Sequence, residues 1–161
     1  MSVDEFNLAD SVLGVHCEEF FGAVGRIVCV SAVLEDQVTT LRLTLANGTE
    51  DGSTREPVGQ QIRQGRAMAT QLSEPAATRV SAFFDEAERA FRRRNEIVHS
   101  LFPAQSTGEV FGHRRTRDKA VTDGSPEIVE SSVSELKQFI GQLSNLARRF
   151  NDVHVMCGMR P

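Results

Sequence analysis

The stretch RRRNEIVHSLF at residues 92–102 marks the end of a predicted helix and carries most of the chemistry that the sequence suggests. Asn95 and His99 are four residues apart, so on a helix they lie one above the other on the same face. Arg94 precedes His99 by five residues, which corresponds to about 140° around an ideal helix. The two side chains therefore converge only if the arginine curls around the helix or the last turn unwinds. Pro103 supports a helix end here, because the residue before a proline is disfavoured in the α conformation.

The helix that ends in this stretch is predicted to run from about Pro75 to His99, because an apolar stripe recurs at three- and four-residue steps. Asn95 stands in that stripe, where the pattern asks for an apolar side chain. A buried amide costs a few kcal/mol unless it is hydrogen-bonded. Asn95 is therefore either a satisfied core or interface residue, or an active-site residue that orients His99 or a phosphate. The stripe consists of Val80, Phe84, Ala87, Phe91, Asn95 and Val98.

Two further helices are predicted upstream of Pro75. The first begins at Glu18 and extends for roughly 28 residues by its periodicity and capping signals. Its end is predicted at a left-handed cap supplied by Asn47 or Gly48. The second covers residues 57–72, is rich in glutamine, and is expected to be partly exposed.

The last helix is predicted to begin near Ser132, because Ser132 and Glu135 match the S-x-x-E capping box. A strong apolar stripe then continues to Val153. Residues 102–130, between the third and fourth helices, are punctuated by Gly and Pro and contain two short β-prone pieces, so we expect a short hairpin or an ordered loop there.

These elements predict an all-α fold, an antiparallel four-helix bundle with the short hairpin or ordered loop between its third and fourth helices. A chain of 161 residues is most simply one domain, residues 1–161. Within it, residues 1–16 are interpreted as an extension, and residues 157–161 are predicted to be disordered.

The charge of the chain is unevenly distributed. The net charge is −4, but residues 89–119 hold eight Lys and Arg against three acidic residues, which gives +5 locally and −9 in the remainder. A basic segment on an acidic protein is typical of a local phosphate-binding surface, although an ordinary solvated surface has the same composition. The candidate residues for such a phosphate-binding surface are Arg92, Arg93, Arg114, Arg115 and Arg117.

Composition also argues against several classes of protein. No apolar run approaches the ~20 residues of a membrane span, and the acidic start lacks the features of a secretory signal. We therefore expect a cytoplasmic protein without a membrane partner. Cys17, Cys29 and Cys157 are unclustered and are expected to be free thiols. No C-x-x-C pair, H-x-x-x-H pair or Gly-rich phosphate loop occurs, so no metal site and no cofactor is predicted.

The six residues from Arg94 to His99, RNEIVH, resemble the signature of the HEPN superfamily of small α-helical proteins. In that signature, Arg and a polar residue are followed within one helix by His, near the helix end. Many HEPN proteins are metal-independent endoribonucleases, often toxins or phage-defence effectors, whereas others bind nucleotides or are inactive scaffolds. The resemblance implies RNA as a partner, a homodimer through the third helix in which two motifs form one cleft, and an antitoxin as a further partner.

The resemblance also implies roles for the motif residues. RNA carries its own nucleophile in the 2′-hydroxyl, so a ribonuclease needs a base or acid, a cation and positioning. Imidazole exchanges a proton near neutral pH, which assigns acid–base catalysis to His99, charge stabilisation to Arg94 and orientation to Asn95. A carboxylate for this site can come from acidic helix residues, namely Glu35, Asp36, Glu86 and Glu88.

Three alternatives stay open. His99 can instead be a helix C-terminal histidine that interacts with the helix dipole or caps carbonyls. The whole protein can be a non-catalytic HEPN-like binding or scaffold module, which the angle between Arg94 and His99 and the acidic remainder of the chain favour. It can also bind a nucleotide without cleaving RNA.

Overall fold

The computed structural model describes residues 3, 5–9, 16–47, 56–100, 109–114 and 127–158, with the backbone alone at 109–114 and 127–130. The described chain is mostly helical, and its helices pack against each other, which confirms the predicted all-α class. The helices are α1 (Glu18–Leu45), α2 (Val58–Ala69), α3 (Ala76–Val98), α4 (Val133–Arg148) and α5 (Phe150–Cys157), and the strands are β1 (Glu109–Arg114) and β2 (Glu127–Ser132).

The chain forms two compact units that are each discontinuous in sequence. The first unit combines Met1–Val28 with Arg93–Ile140, and the second combines Cys29–Arg92 with Gly141–Pro161. No helix within the described ranges has the length and apolarity that a bilayer crossing requires.

Helix α1 begins at the predicted residue and has the predicted length of 28 residues. Its buried face repeats at helical spacing, as the apolar pattern indicates. The helix ends where Asn47 adopts a left-handed conformation with φ of 61° and donates its backbone N–H to the Thr44 carbonyl at 3.2 Å. Asn47 therefore supplies the predicted cap, because asparagine tolerates this region better than most residues. The buried apolar residues of α1 are Phe20, Ala23, Ile27, Leu34, Val38, Leu41 and Leu45.

In the second unit, α2 packs against α3 at a glycine. A Cβ atom on Gly65 would lie 2.3 Å from Cζ of Phe84, so the missing side chain lets the buried ring reach the α2 backbone. Beside this contact, Arg66 forms an ion pair with Asp85 at 2.8 Å and a hydrogen bond with Glu88 at 2.7 Å. That hydrogen bond lowers the pKa of Glu88 and raises the pKa of Arg66.

The same unit contains a hydrogen-bonded histidine in α5. His154 Nε2 lies 3.0 Å from Thr44 Oγ1, and the Thr44 hydroxyl donates to the Thr40 carbonyl at 2.9 Å. A hydroxyl has a single hydrogen to donate. The His154 Nε2 atom must therefore carry the hydrogen that Thr44 Oγ1 accepts, which fixes the protonated nitrogen of this ring.

The predicted last helix is interrupted, which corrects the expectation of one continuous helix. Arg149 separates α4 from α5, and its backbone N–H donates to the Leu146 carbonyl three residues earlier, at 3.1 Å, which tightens the turn. Its side chain donates two hydrogen bonds to Glu86 of α3, at 2.8 and 2.9 Å. Cys157, expected in a disordered tail, instead ends α5 and is only 1% exposed; residues 159–161 lie outside the described residues.

The first unit contains an antiparallel strand pair between α3 and α4, where the sequence predicts either a short hairpin or an ordered loop. Its register runs from Glu109 opposite Ser132 to Arg114 opposite Glu127. The strand β2 leads directly into α4, whose start has the predicted capping box. Glu135 N–H donates to Ser132 Oγ at 3.1 Å, and Ser132 N–H donates to a Glu135 carboxylate oxygen at 2.8 Å.

The buried face of α3 differs from the predicted stripe near the helix end. Val80, Phe84, Ala87 and Phe91 are buried as expected. Ile97, however, is 1% exposed, whereas Val98 and Asn95 are half-buried. The reason is that α3 has a broader apolar face than one stripe, because Ile97 continues the row of Phe83, which is fully buried.

Candidate functional site

The end of α3 is closed by its own backbone and by Ser100. The His99 N–H donates to the Asn95 carbonyl at 3.1 Å, and the Ser100 N–H donates to the Ile97 carbonyl at 3.3 Å. The Ser100 hydroxyl donates to the Glu96 carbonyl. The carbonyls of Asn95, Glu96 and Ile97 therefore have donors, and the His99 imidazole caps none of these three.

The His99 side chain is exposed to solvent. Within the described part of the chain, its ring takes part in no hydrogen bond, ion pair or ring contact. An imidazole in this position is accessible to a solute, and both of its nitrogen atoms are available for proton transfer or hydrogen bonding.

Arg94 is anchored by its neighbour Asn95. The guanidinium Nη1 donates to Asn95 Oδ1 at 2.9 Å, and both side chains are half-buried. The Arg94 Nε atom is buried and has no hydrogen-bond partner among the described residues. Because the Asn95 amide is neutral, it holds the guanidinium without cancelling its charge. Arg93 differs, since it forms an ion pair with the Glu96 carboxylate at 3.2 Å.

The structure thus brings together two of the three motif side chains. No hydrogen bond between described atoms joins the His99 ring to Arg94 or to Asn95. Asn95 contacts His99 through its backbone carbonyl, which accepts the His99 N–H, while its side chain faces Arg94. Asn95 therefore positions the guanidinium of Arg94 in this structure. We predicted that the Asn95 side chain would orient the His99 ring, but no hydrogen bond joins these two side chains.

The other candidate RNA-binding residues are only partly described. Arg92 is exposed, and its charge contributes to the lowered pKa of Glu88. Arg114 is described only as the backbone residue that ends β1. Arg115 and Arg117 lie outside the described residues.

No family model, curated protein or solved structure matches this chain. The resemblance to the HEPN superfamily therefore stays a prediction, which rests on RNEIVH and on its position at the end of a helix.

The described acidic residues offer the motif neither two of its candidate carboxylates nor a metal site. Two of the acids considered as partners for the motif bind other arginines, Glu86 with Arg149 and Glu88 with Arg66. Within the described ranges, no three His, Cys, Asp or Glu side chains come together as metal ligands would.

The cysteines are free thiols, as predicted, and their environments differ. Cys17 and Cys29 are exposed, whereas Cys157 is buried. Burial raises the pKa of the Cys157 thiol to about 11. Cys157 is therefore protonated at neutral pH and is a poor nucleophile, although it lies only three residues from His154.

A second group of polar residues was not predicted. Arg79 and Glu86 lie seven residues apart on one face of α3, and Glu86 holds Arg149 beside α5. The seven-residue spacing is a signal that could have placed Arg79 and Glu86 on the same face of the helix. The pairing with Arg149 spans 63 residues of sequence, and no local pattern reports it.

Proposed function

We propose that this protein is a HEPN-like, metal-independent endoribonuclease that acts as a homodimer through α3. In this proposal the chain is a cytoplasmic antiparallel four-helix bundle that serves as a toxin or phage-defence effector, with RNA as substrate and an antitoxin as partner. The observation that carries the proposal is the exposed His99 ring at the end of α3, one turn after the Arg94–Asn95 hydrogen bond.

The proposed reaction uses the nucleophile that RNA itself carries. His99 removes the proton from a ribose 2′-hydroxyl, and the 2′-oxygen attacks the adjacent phosphorus. The bond from phosphorus to the 5′-oxygen breaks, and this oxygen takes a proton from water or from a second His99. The products are a 2′,3′-cyclic phosphate and a 5′-hydroxyl. Arg94 stabilises the negative charge on the phosphorane oxygens.

A dimer would resolve the angular separation within one motif. Arg94 and His99 point about 140° apart on one helix, and the structure shows no bond between their side chains. If two α3 ends meet, the guanidinium of one copy and the imidazole of the other can face the same phosphate. We therefore expect activity to require the dimer, so the activity per chain should fall at protein concentrations below the dimer dissociation constant that sedimentation equilibrium measures.

The decisive experiment measures cleavage of single-stranded RNA in EDTA by the purified protein and by the His99→Ala variant. General acid–base groups contribute about 10²–10⁴-fold to rates, so we expect His99→Ala to lower the rate by at least about 10²-fold. Since the ring is exposed and bonded to no described residue, the free energy of unfolding should change by less than about 0.5 kcal/mol. Equal cleavage by wild type and His99→Ala would remove the catalytic assignment.

A second substitution tests the cation. Asn95→Asp should keep a hydrogen bond to Arg94 while adding a carboxylate that neutralises the guanidinium, so we expect cleavage to fall while the fold is kept. Arg26→Ala is a matched control for charge, because Arg26 is an exposed helix residue whose Nη1 donates to the Gly22 carbonyl at 2.9 Å, outside the motif. Wild-type activity in Asn95→Asp would argue against a catalytic Arg94.

The second candidate is a non-catalytic binding or scaffold module. It is favoured by one contact, because the Arg94 guanidinium donates to Asn95 rather than to His99. In this case Asn95→Ala would leave a half-buried cation without its partner and cost about 1–3 kcal/mol of stability, with no cleavage by any variant. Melting temperatures with and without ATP would test the related nucleotide-binding alternative.

A further inference from the structure

The second unit contains a cleft of about 320 Å³ that is separate from the RNEIVH motif. It lies between α3 and α5, together with Arg149, which directly precedes α5. Its lining residues are Arg79, Ala82, Arg149, Asp152, Val153 and Met156. Ligand pockets typically have volumes of about 300–1,000 Å³, so this cleft is large enough for a small molecule.

Two opposite charges line the cleft without neutralising each other. Arg79 and Asp152 are both exposed, and neither forms an ion pair or a side-chain hydrogen bond with any described residue. Because Arg79 and Asp152 do not pair with each other, the guanidinium can donate to a ligand and the carboxylate can accept from it. A ligand that carries both a negative and a positive charge can use both groups.

Arg149 provides a third polar group, and it is held in place. Both of its Nη atoms donate to the Glu86 carboxylate, at 2.8 and 2.9 Å, and this hydrogen bonding raises the pKa of Arg149. A guanidinium has five N–H donors, so three remain after the bonds to Glu86. Because Glu86 fixes the group, these donors need little reorganisation to meet a carboxylate.

The remaining lining residues are apolar. Ala82 belongs to α3, and Val153 and Met156 belong to α5. Val153 is 6% exposed and forms part of the core. Methionine adapts to ligands of different shape because its side chain is flexible. The cleft therefore combines two guanidinium donors, Arg79 and Arg149, with one carboxylate acceptor, Asp152, and a short apolar surface.

We propose that the cleft binds a free α-amino acid with an aliphatic side chain. The carboxylate is bound by Arg79, with help from the N–H donors that Arg149 has left. The ammonium group is bound by Asp152, and the aliphatic side chain lies against Val153 and Met156. Inorganic phosphate is a poorer ligand, because the Asp152 carboxylate repels a second negative charge. These residues are distinct from the RNEIVH motif, so the proposal does not depend on RNA cleavage.

The test is a titration of the full, ¹⁵N-labelled chain with L-leucine, followed by amide shifts in two-dimensional NMR. A ligand this small binds in the millimolar range, so the titration should extend to about 50 mM. We expect saturable shifts of the amides of Arg79, Ala82 and residues 149–153. No saturable shift in this region would overturn the proposal.

Three variants test the residues. Arg79→Gln and Asp152→Asn each remove one charge-assisted hydrogen bond, and each should raise the dissociation constant by about tenfold or more. Arg148→Gln is the matched control, because Arg148 precedes Arg149, bonds within α4 to Ser144 and Asn145, and does not line the cleft. The amide spectrum of each variant verifies its fold. Unchanged affinity in Arg79→Gln and Asp152→Asn would overturn the assignment.

Three ligands test the chemistry. The 4-methylpentanoate anion lacks the ammonium group, 3-methylbutan-1-amine lacks the carboxylate, and inorganic phosphate lacks both the ammonium group and the aliphatic chain. We expect L-leucine to bind at least about tenfold more tightly than each of them. Equal binding of either leucine analogue would overturn the zwitterion assignment, and tighter binding of phosphate would identify the cleft as an anion site instead.

Discussion

Replacing Gly65 by alanine should destabilise the protein, although alanine is the better helix former. The new Cβ atom would lie 2.3 Å from Cζ of Phe84 and 2.7 and 2.8 Å from its two Cε atoms. Carbon atoms in contact are normally about 3.5–4.0 Å apart. Rotation of the ring about its own axis does not help, because Cζ lies on that axis. Phe84 is fully buried, so the ring can move away only by displacing the core.

The magnitude follows from two opposing terms. Alanine is favoured over glycine in a helix by about 1 kcal/mol, and overpacking a core costs about 1–3 kcal/mol or more. Three ring atoms are in close contact, so we take the upper half of that range. Gly65→Ala should therefore lower the free energy of unfolding by about 1–2 kcal/mol.

The assay is urea unfolding followed by circular dichroism, with linear extrapolation to water. Gly141→Ala is the matched control, because a Cβ atom at this exposed position of α4 meets no atom within 4 Å. It should raise stability by up to about 1 kcal/mol. In a double-mutant cycle, Phe84→Leu should remove most of the penalty of Gly65→Ala. The reasoning is refuted if Gly65→Ala stabilises as much as Gly141→Ala.

Two further predictions concern α5 and its contacts. Burial holds the pKa of Cys157 at about 11, against 9.0 for an ordinary thiol, so the unfolded thiol loses its proton first and stability falls as pH rises from 9 towards 11. The free energy of unfolding, measured with urea, should differ between wild type and Cys157→Ala by about 1 kcal/mol less near pH 10 than below pH 9. A difference that does not change with pH would contradict this expectation. Thr44→Val removes the acceptor of the His154 N–H and should cost about 1–3 kcal/mol, whereas Thr44→Ser should cost less because it keeps the hydroxyl. Equal urea midpoints for the Val and Ser variants would exclude this hydrogen bond as a source of stability.

Local signals in the sequence predicted the helices well. The start and length of α1 follow from apolar periodicity, and its end follows from a residue that tolerates a left-handed conformation, Asn47. The start of α4 follows from Ser132 and Glu135, whose reciprocal hydrogen bonds involve only four consecutive residues. Each of these features is decided within one or two helical turns, so a sequence window contains the necessary information.

Features that depend on distant contacts were not predictable in this way. The interruption at Arg149 coincides with a pairing to Glu86, which lies 63 residues earlier. Arg42 is another example, because it is 1% exposed and shares a buried row with Val38 and Leu45. A prediction based on apolar periodicity alone places such an arginine on the solvent-exposed face.

For the candidate site, the sequence suggests which residues to consider but only part of their geometry. The helix end and the adjacency of an arginine and an amide follow from RNEIVH, whereas the exposure of the His99 ring is seen only in the structure. Helical geometry predicts that the Arg94 and His99 side chains point in different directions. It does not predict that the Asn95 side chain accepts a hydrogen bond from Arg94. That contact joins adjacent residues through their side-chain ends, whose directions depend on rotamers rather than on spacing.

The discontinuous second unit has a consequence for synthesis on the ribosome. Gln37 donates to the Ala147 carbonyl at 3.1 Å, and Thr44 accepts from His154, and both contacts span 110 residues. Residues 93–140 must be translated after the first stretch of this unit and before its second stretch. At about 5–20 residues per second, the nascent chain spends several seconds with apolar surface of α1 and α3 uncovered. Chaperones that bind such surface would have that interval in which to act.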